Sequence, residues 1–172
     1  MKIARLIMTL ECNRRCVNCC NNYTSILSKA TRIHNVSQLE PLGFNQVIIT
    51  GGEPMLYPDR VIGIAQQAAK QGSEVFLYTA MYRPEIVTIL NLVKGVHYTL
   101  HAPMSRKDFT GFHQFQRLIA HWVGSYRLYV DPNIKESILI TPCVWKRVEI
   151  KPWLLEGDCP LPMGEELFIL DS

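Results

Sequence analysis

The sequence predicts an α/β fold, a parallel sheet curled into an open, partial (βα)5-6 barrel. Three observations carry this. Short apolar or β-branched runs alternate along the chain with stretches of helical periodicity, the pattern of repeated strand–helix–strand units with right-handed crossovers. The first strand is apolar almost throughout, as expected of a parallel strand covered on both faces. The length, 172 residues, leaves room for five or six such units, whereas a closed eight-stranded barrel takes roughly 200 residues or more.

The first strand spans residues 2–10 and delivers a cysteine-rich loop from its carboxyl end. Residues 25–42 read as a mixed, weakly helical connection stopped by Gly43. A short β-branched strand, residues 46–50, runs into Gly51-Gly52-Glu53-Pro54. A helix follows over 58–71, with Pro58 suited to a first helical position and Val61, Ile64, Ala65, Ala68 and Ala69 forming its apolar face. Gly72 closes it in the left-handed C′ role. Residues 74–79 make the third strand, Pro84 opens a helix running to 93, and residues 96–100 make the fourth strand, ahead of His101-Ala102-Pro103. A longer helix covers 106–123, closed by Gly124, and residues 126–130 form the fifth strand. Beyond 130 the chain is less regular, because Pro132, Pro142, Pro152, Pro160 and Pro162 interrupt it. Residues 138–140 and 148–150 have strand character, so a sixth strand and a tail against the side or bottom of the barrel are expected. The whole of 1–172 reads as one domain.

Composition places the chain among ordinary globular proteins, with 48% hydrophobic and 19% charged residues. A net charge of +3 is too small to argue for a nucleic acid or another polyanion. Basic pairs such as Arg14-Arg15 and Arg106-Lys107 read as solvated faces. Every apolar run stops well short of the ~20 residues of a membrane span. Residues 1–11 lack a small-residue cleavage site and read as a buried strand rather than a signal peptide. Four of the six cysteines lie within nine residues, too crowded for a disulfide framework, which favours the cytoplasm.

The chemistry concentrates in two stretches. Cys12, Cys16 and Cys19 are set as Cys-x3-Cys-x2-Cys, and closely spaced soft thiolates favour zinc or an iron–sulfur cluster. A structural zinc site takes four ligands, usually with a distant second pair. No second Cys-x2-Cys pair exists, although Cys20 or His34 could complete a zinc knuckle. Three thiolates suit a four-iron cube held at three corners. The second stretch is Val47 to Pro54, where Gly51 and Gly52 let backbone approach a ligand closely.

Together, the three-cysteine motif after the first strand and Gly-Gly-Glu-Pro after the second resemble the radical S-adenosylmethionine (radical SAM) superfamily over roughly residues 1–130. The resemblance implies a [4Fe–4S] cluster on Cys12, Cys16 and Cys19, with S-adenosyl-L-methionine on the open iron. It implies reductive cleavage of that cofactor to methionine and a 5′-deoxyadenosyl radical, then hydrogen abstraction from a substrate at the carboxyl ends of the strands. Gly51, Gly52, Glu53 and Pro54 are implied as the segment holding the cofactor's ammonium. Asn18 stands where the family usually places an aromatic residue against the adenine. Thr79, at the end of the third strand, is a further candidate. Tyr98–Pro103 reads Tyr-Thr-Leu-His-Ala-Pro and is similar to the Ser-Leu-His-Ala-Pro segment of radical SAM RNA methyltransferases, which makes Thr99 and His101 candidates for the cofactor's ribose. Cys143 and Cys159 are too few for an auxiliary cluster and read as isolated thiols, Cys20 as a non-ligand. Trp145 and Trp153 read as core or lid residues. The expected partners are an external electron donor, flavodoxin-like or ferredoxin-like, and a substrate that is a small molecule, nucleoside or peptide. Two alternatives stand beside this reading: an activating enzyme for a glycyl-radical partner protein, and a non-catalytic metal or Fe–S binding module.

Overall fold

The computed structural model of the chain describes residues 1–16, 19–151 and 161–171. Apolar strands and helix faces assemble into one all-parallel sheet with its three longer helices packed on the convex side. The strands are β1 (Ile3–Thr9), β2 (Thr31–Ile33), β3 (Gln46–Gly51), β4 (Glu74–Thr79), β5 (Gly95–Leu100), β6 (Ser125–Val130), β7 (Arg147–Ile150) and β8 (Glu165–Leu170). Their order is β2-β8-β1-β3-β4-β5-β6-β7, every neighbouring pair is parallel, and β2 and β7 are the two edges. The helices are α1 (Thr24–Leu27), α2 (Pro58–Lys70), α3 (Ile86–Leu90) and α4 (Arg106–Ile119).

Strand alternation sorts the side chains onto two faces. Leu6, Met8, Val47, Ile49, Leu77 and Tyr98 point to the helices and bury against Val61, Ile64 and Ala65 of α2, Ile86 and Ile89 of α3, and Phe112 and Phe115 of α4. The α2 face forms as its periodicity predicts, except that Ala69 is exposed. Gly72 closes that helix at φ +80°, where a glycine is favoured. A capping box starts α4: the Ser105 hydroxyl accepts from the Asp108 N–H, and Asp108 accepts from the Ser105 N–H. Trp145 is buried against Phe112 and donates its indole N–H to Gln116 (3.0 Å), a core role.

The tail departs most from expectation. Residues 165–170 do not pack over the barrel but enter the sheet between β1 and β2, pairing Ile3 with Glu165 and Ile7 with Ile169. Phe168 meets Phe44 edge-on at 5.3 Å, while Leu167 and Ile169 turn to the opposite face and join Ile7 and Ile26. Eight strands therefore stand where five or six were expected. β2 lies inside the stretch expected to be weakly helical, which contains a capped 3-10 segment, Val36–Leu42, ending at Gly43. Residues 138–140 are not a strand, because the Gln116 side chain takes the backbone there, donating to the Leu139 carbonyl (3.1 Å) and accepting from the Thr141 N–H (2.8 Å). The helices α3 and α4 are shorter than expected. Residues 84–85 form a turn, the chain leaves α3 to bond Lys94 to Val75, and α4 unwinds through turn bonds at His121 and Trp122. No helix among the described residues is long and apolar enough to cross a membrane.

Candidate active site

Both motifs lie at the carboxyl end of adjacent strands, where parallel α/β sheets gather their ligands. β1 and β3 are paired through Thr9 and Gly51, and the hydrogen bonding continues past the strands. The Gly52 N–H donates to the Thr9 carbonyl (2.7 Å) and the Glu53 N–H to the Glu11 carbonyl (2.8 Å). Glycines make this approach possible. A Cβ on Gly51, at φ +127°, would sit 2.3 Å from the Thr9 oxygen, and one on Gly52 would sit 1.9 Å from the Glu11 oxygen. The Tyr57 hydroxyl adds a bond to the Glu11 carboxylate.

The cysteine loop leaves this junction and turns back on itself through Cys19 N–H to the Cys16 carbonyl (3.3 Å). Arg14 anchors it. Its guanidinium pairs with Asp108 at the start of α4 and reaches the Ala80 carbonyl (3.5 Å), while its N–H points at Cys12 Sγ (3.4 Å). Arg14 is thus tied down rather than solvated, unlike Arg15, Arg106 and Lys107, which are exposed as expected. Cys12, Cys16 and Cys19 are not in disulfides. They line two hollows, an outer cleft of about 400 Å³ shared with Asn21 and Asn22, and an inner pocket of about 100 Å³ that reaches Gly51 and Gly52.

The floor and far wall of the inner pocket come from β3, β4 and β5. Thr50, Tyr78, Thr79, Thr99 and His101 face it, and the last three are at most 9% exposed. Burial, then the charge of Arg14, pushes His101 down to about 4, so the ring is neutral near pH 7. Ala102-Pro103 is cis. Glu53 is 2% exposed, and the chain's own donors occupy both carboxylate oxygens. Oε1 accepts from the Met55 N–H (2.9 Å) and the Thr79 hydroxyl (2.5 Å), and Oε2 from the Ala80 N–H (2.9 Å). Burial raises the Glu53 pKa against the opposing pull of these donors. Glu53 therefore staples the end of β3 to the end of β4, and Pro54, also buried, begins the 3-10 turn it caps. A glutamine here keeps one acceptor and turns an NH2 toward one of the two backbone donors. Glu53→Gln is expected to lose about 1–3 kcal/mol, read as a lower urea midpoint with an unchanged m-value.

Nine of the sequence candidates thus meet at one pocket: Cys12, Cys16, Cys19, Gly51, Gly52, Glu53, Thr79, Thr99 and His101. Pro54 lies just behind it. Asn18, Trp153 and Cys159 lie outside the described residues. Cys20 packs against the small apolar cluster of Ile7, Ile26, Leu167 and Ile169. His34 sits beside Asp171, away from the cysteines, and Cys143 is exposed in a distant 3-10 turn. Sequence reasoning missed Arg14, Thr50, Tyr78 and Ala80. Thr50 and Tyr78 carry a signal that was available, since both stand in the last two positions of the residue runs read as strands.

Comparison with known families bears on the same strands. The family model of the Radical SAM superfamily matches residues 6–128, from β1 into β6. No match is found among curated proteins. The matched span carries the three cysteines, the glycine pair that closes on them and the three strands flooring their pocket, and on that match the chain belongs to the radical SAM superfamily.

Proposed function

We propose that this chain is a radical SAM enzyme holding a [4Fe–4S] cluster on Cys12, Cys16 and Cys19 and S-adenosyl-L-methionine along Gly51–Pro54. The observation that carries the reading is the closure of the glycine pair onto the root of the cysteine loop, so that one pocket has thiols on one wall and close-approach backbone on the other.

The residues fit such a group. Burial first, then the neighbouring Cys19 and Cys12, raises the Cys16 pKa, and Cys12 is raised mainly by burial. Three thiolates so placed need a cationic centre to ionise together. Bound there, the cluster supplies the single electron that cleaves S-adenosyl-L-methionine to methionine and a 5′-deoxyadenosyl radical. The chain does the positioning. Gly51 and Gly52 expose backbone toward the cofactor, Glu53 fixes that backbone's direction, and Arg14 with Asp108 holds the loop. The buried Thr79, Thr99 and His101 limit water on the floor. An external flavodoxin-like or ferredoxin-like protein would deliver the electron, and hydrogen would be abstracted from a small molecule, nucleoside or peptide.

The test is anaerobic reconstitution with iron and sulfide, then dithionite and S-adenosyl-L-methionine. About four irons per chain and 5′-deoxyadenosine in the product are expected. About one zinc per chain, or a cluster that never cleaves the cofactor, would overturn the reading in favour of a metal-stabilised binding module.

A further inference from the structure

Below the cysteine pocket, the part of the concave face formed by β4, β5 and β6 carries a row of polar side chains, which a buried parallel sheet does not require. Register places Tyr78, His97 and Arg127 side by side on β4, β5 and β6, with Tyr129 one pleat above Arg127 and level with Thr99. Tyr78 and Thr99 also line the cysteine pocket, so this row continues its floor. The His97 ring stacks on Tyr78 at 4.2 Å between centroids and meets Tyr129 at 6.1 Å.

The charges on this face do not balance. Arg5 is matched by Glu165 through contacts of 2.8 and 2.6 Å, and Glu149 is taken by Arg147 and Lys151. Arg127 has no ion pair or hydrogen bond among the described residues, and its Nε is buried without an acceptor. Beside it, His97 is 5% exposed, and its Nδ1 is also buried without a partner. Burial, then the Arg127 and Arg5 charges, pushes His97 down to about 3, so the ring stays neutral and adds no second cation beside the guanidinium. The half-buried Arg127 guanidinium thus keeps one buried donor without an acceptor, which is costly. Its planar fork suits a carboxylate or phosphate held by two parallel bonds.

We propose that Arg127 and His97 form the anion-recognition end of the substrate site, and that the substrate is a small molecule carrying a carboxylate or phosphate, its body lying along Tyr78 and Tyr129 toward the cysteine pocket. This rests on the radical SAM reading for the word substrate, but anion binding itself needs neither cluster nor cofactor.

The experiment is calorimetric titration of the full chain with inorganic phosphate and, separately, with succinate, alongside Arg127→Gln, Arg127→Met and the exposed control Arg15→Gln. Saturable binding of at least one anion is expected, weakened about thirtyfold or more by either Arg127 change and unaffected by Arg15→Gln. The stronger anion names the substrate's charged group. The thermal midpoint of Arg127→Met without anion should be unchanged or raised, because an unpaired charge has been removed. No saturable binding to the wild-type chain, equal binding by the Arg127 variants, or a lowered midpoint marking Arg127 as structural would each overturn the proposal. Formation of 5′-deoxyadenosine by the wild-type protein tests the underlying reading separately, so the two can fail independently.

Discussion

Cys16→Ala is expected to abolish 5′-deoxyadenosine formation and to leave well under the wild-type iron after reconstitution, with the brown cluster absorbance lost. Cys16 is the middle ligand of the proposed set. It lines both the outer cleft and the inner pocket, and its carbonyl receives the Cys19 N–H and the Asn22 side chain (3.4 Å) that shape the loop. Alanine leaves those backbone bonds available, so the loss belongs to the sulfur. Changes to groups that merely support a metal ligand cost about 10–100-fold in affinity or activity, and removal of the ligand should exceed that. Cys20→Ala is the matched control. Its sulfur packs with Ile7, Ile26, Leu167 and Ile169, and truncation there should cost about 1 kcal/mol, the scale of deleting one small buried group. Iron content and cofactor cleavage should survive. If Cys16→Ala kept four irons, or if Cys20→Ala lost them, the ligand set would be wrong.

The strands and helices that recur as local units were readable because their signals are local. β4 follows the residues expected of it to the residue, and the face of α2 follows from its period. β8 was not read, although Leu167–Leu170 is an apolar run behind Gly164. Its place is set by pairing with β1, more than 150 residues earlier, and no short-range pattern tells a strand which edge it joins. β2 is three residues long with two of them exposed, below what alternation can reveal. The segment at 138–140 has strand composition, but a single buried glutamine on α4 claims its backbone.

The site was legible where chemistry needs particular residue types close in sequence, as in the three cysteines and the glycine pair. What escaped depends on distant partners. Arg14 looks like half of a surface pair until Asp108, on the far side of four strands in sequence, meets it. Glu53 was expected to face the cofactor's ammonium, yet Met55, Thr79 and Ala80 already occupy its carboxylate. Arg127 and His97 lie in strands read from their apolar neighbours, where a polar residue on the concave face resembles ordinary alternation.

Gly52→Ala should destabilise the chain by about 3–5 kcal/mol and remove the reconstituted cluster, although it touches no cysteine. The added methyl would lie 1.9 Å from the Glu11 oxygen and 2.5 Å from its carbonyl carbon. Both belong to backbone, which cannot rotate away as a side chain would. Overpacking of this kind costs about 1–3 kcal/mol. Separating the two segments also breaks the bonds from Gly52 to Thr9 (2.7 Å) and from Glu53 to Glu11 (2.8 Å), each worth about 1 kcal/mol. The root of the cysteine loop then loses its fixed distance from the glycine wall, so cluster assembly should fail even in the fraction that stays folded. Gly63→Ala gives the opposite sign in the same protein. Gly63 is an exposed interior position of α2, and a methyl added there would meet nothing within 4 Å. Alanine at this position should add about 0.5–1 kcal/mol through helix propensity and unfolded-state entropy. Urea unfolding of both variants, with iron counted after reconstitution, checks the pair. A Gly52→Ala protein as stable as wild type with a full cluster would show that the close approach of the two motifs is not what builds the site.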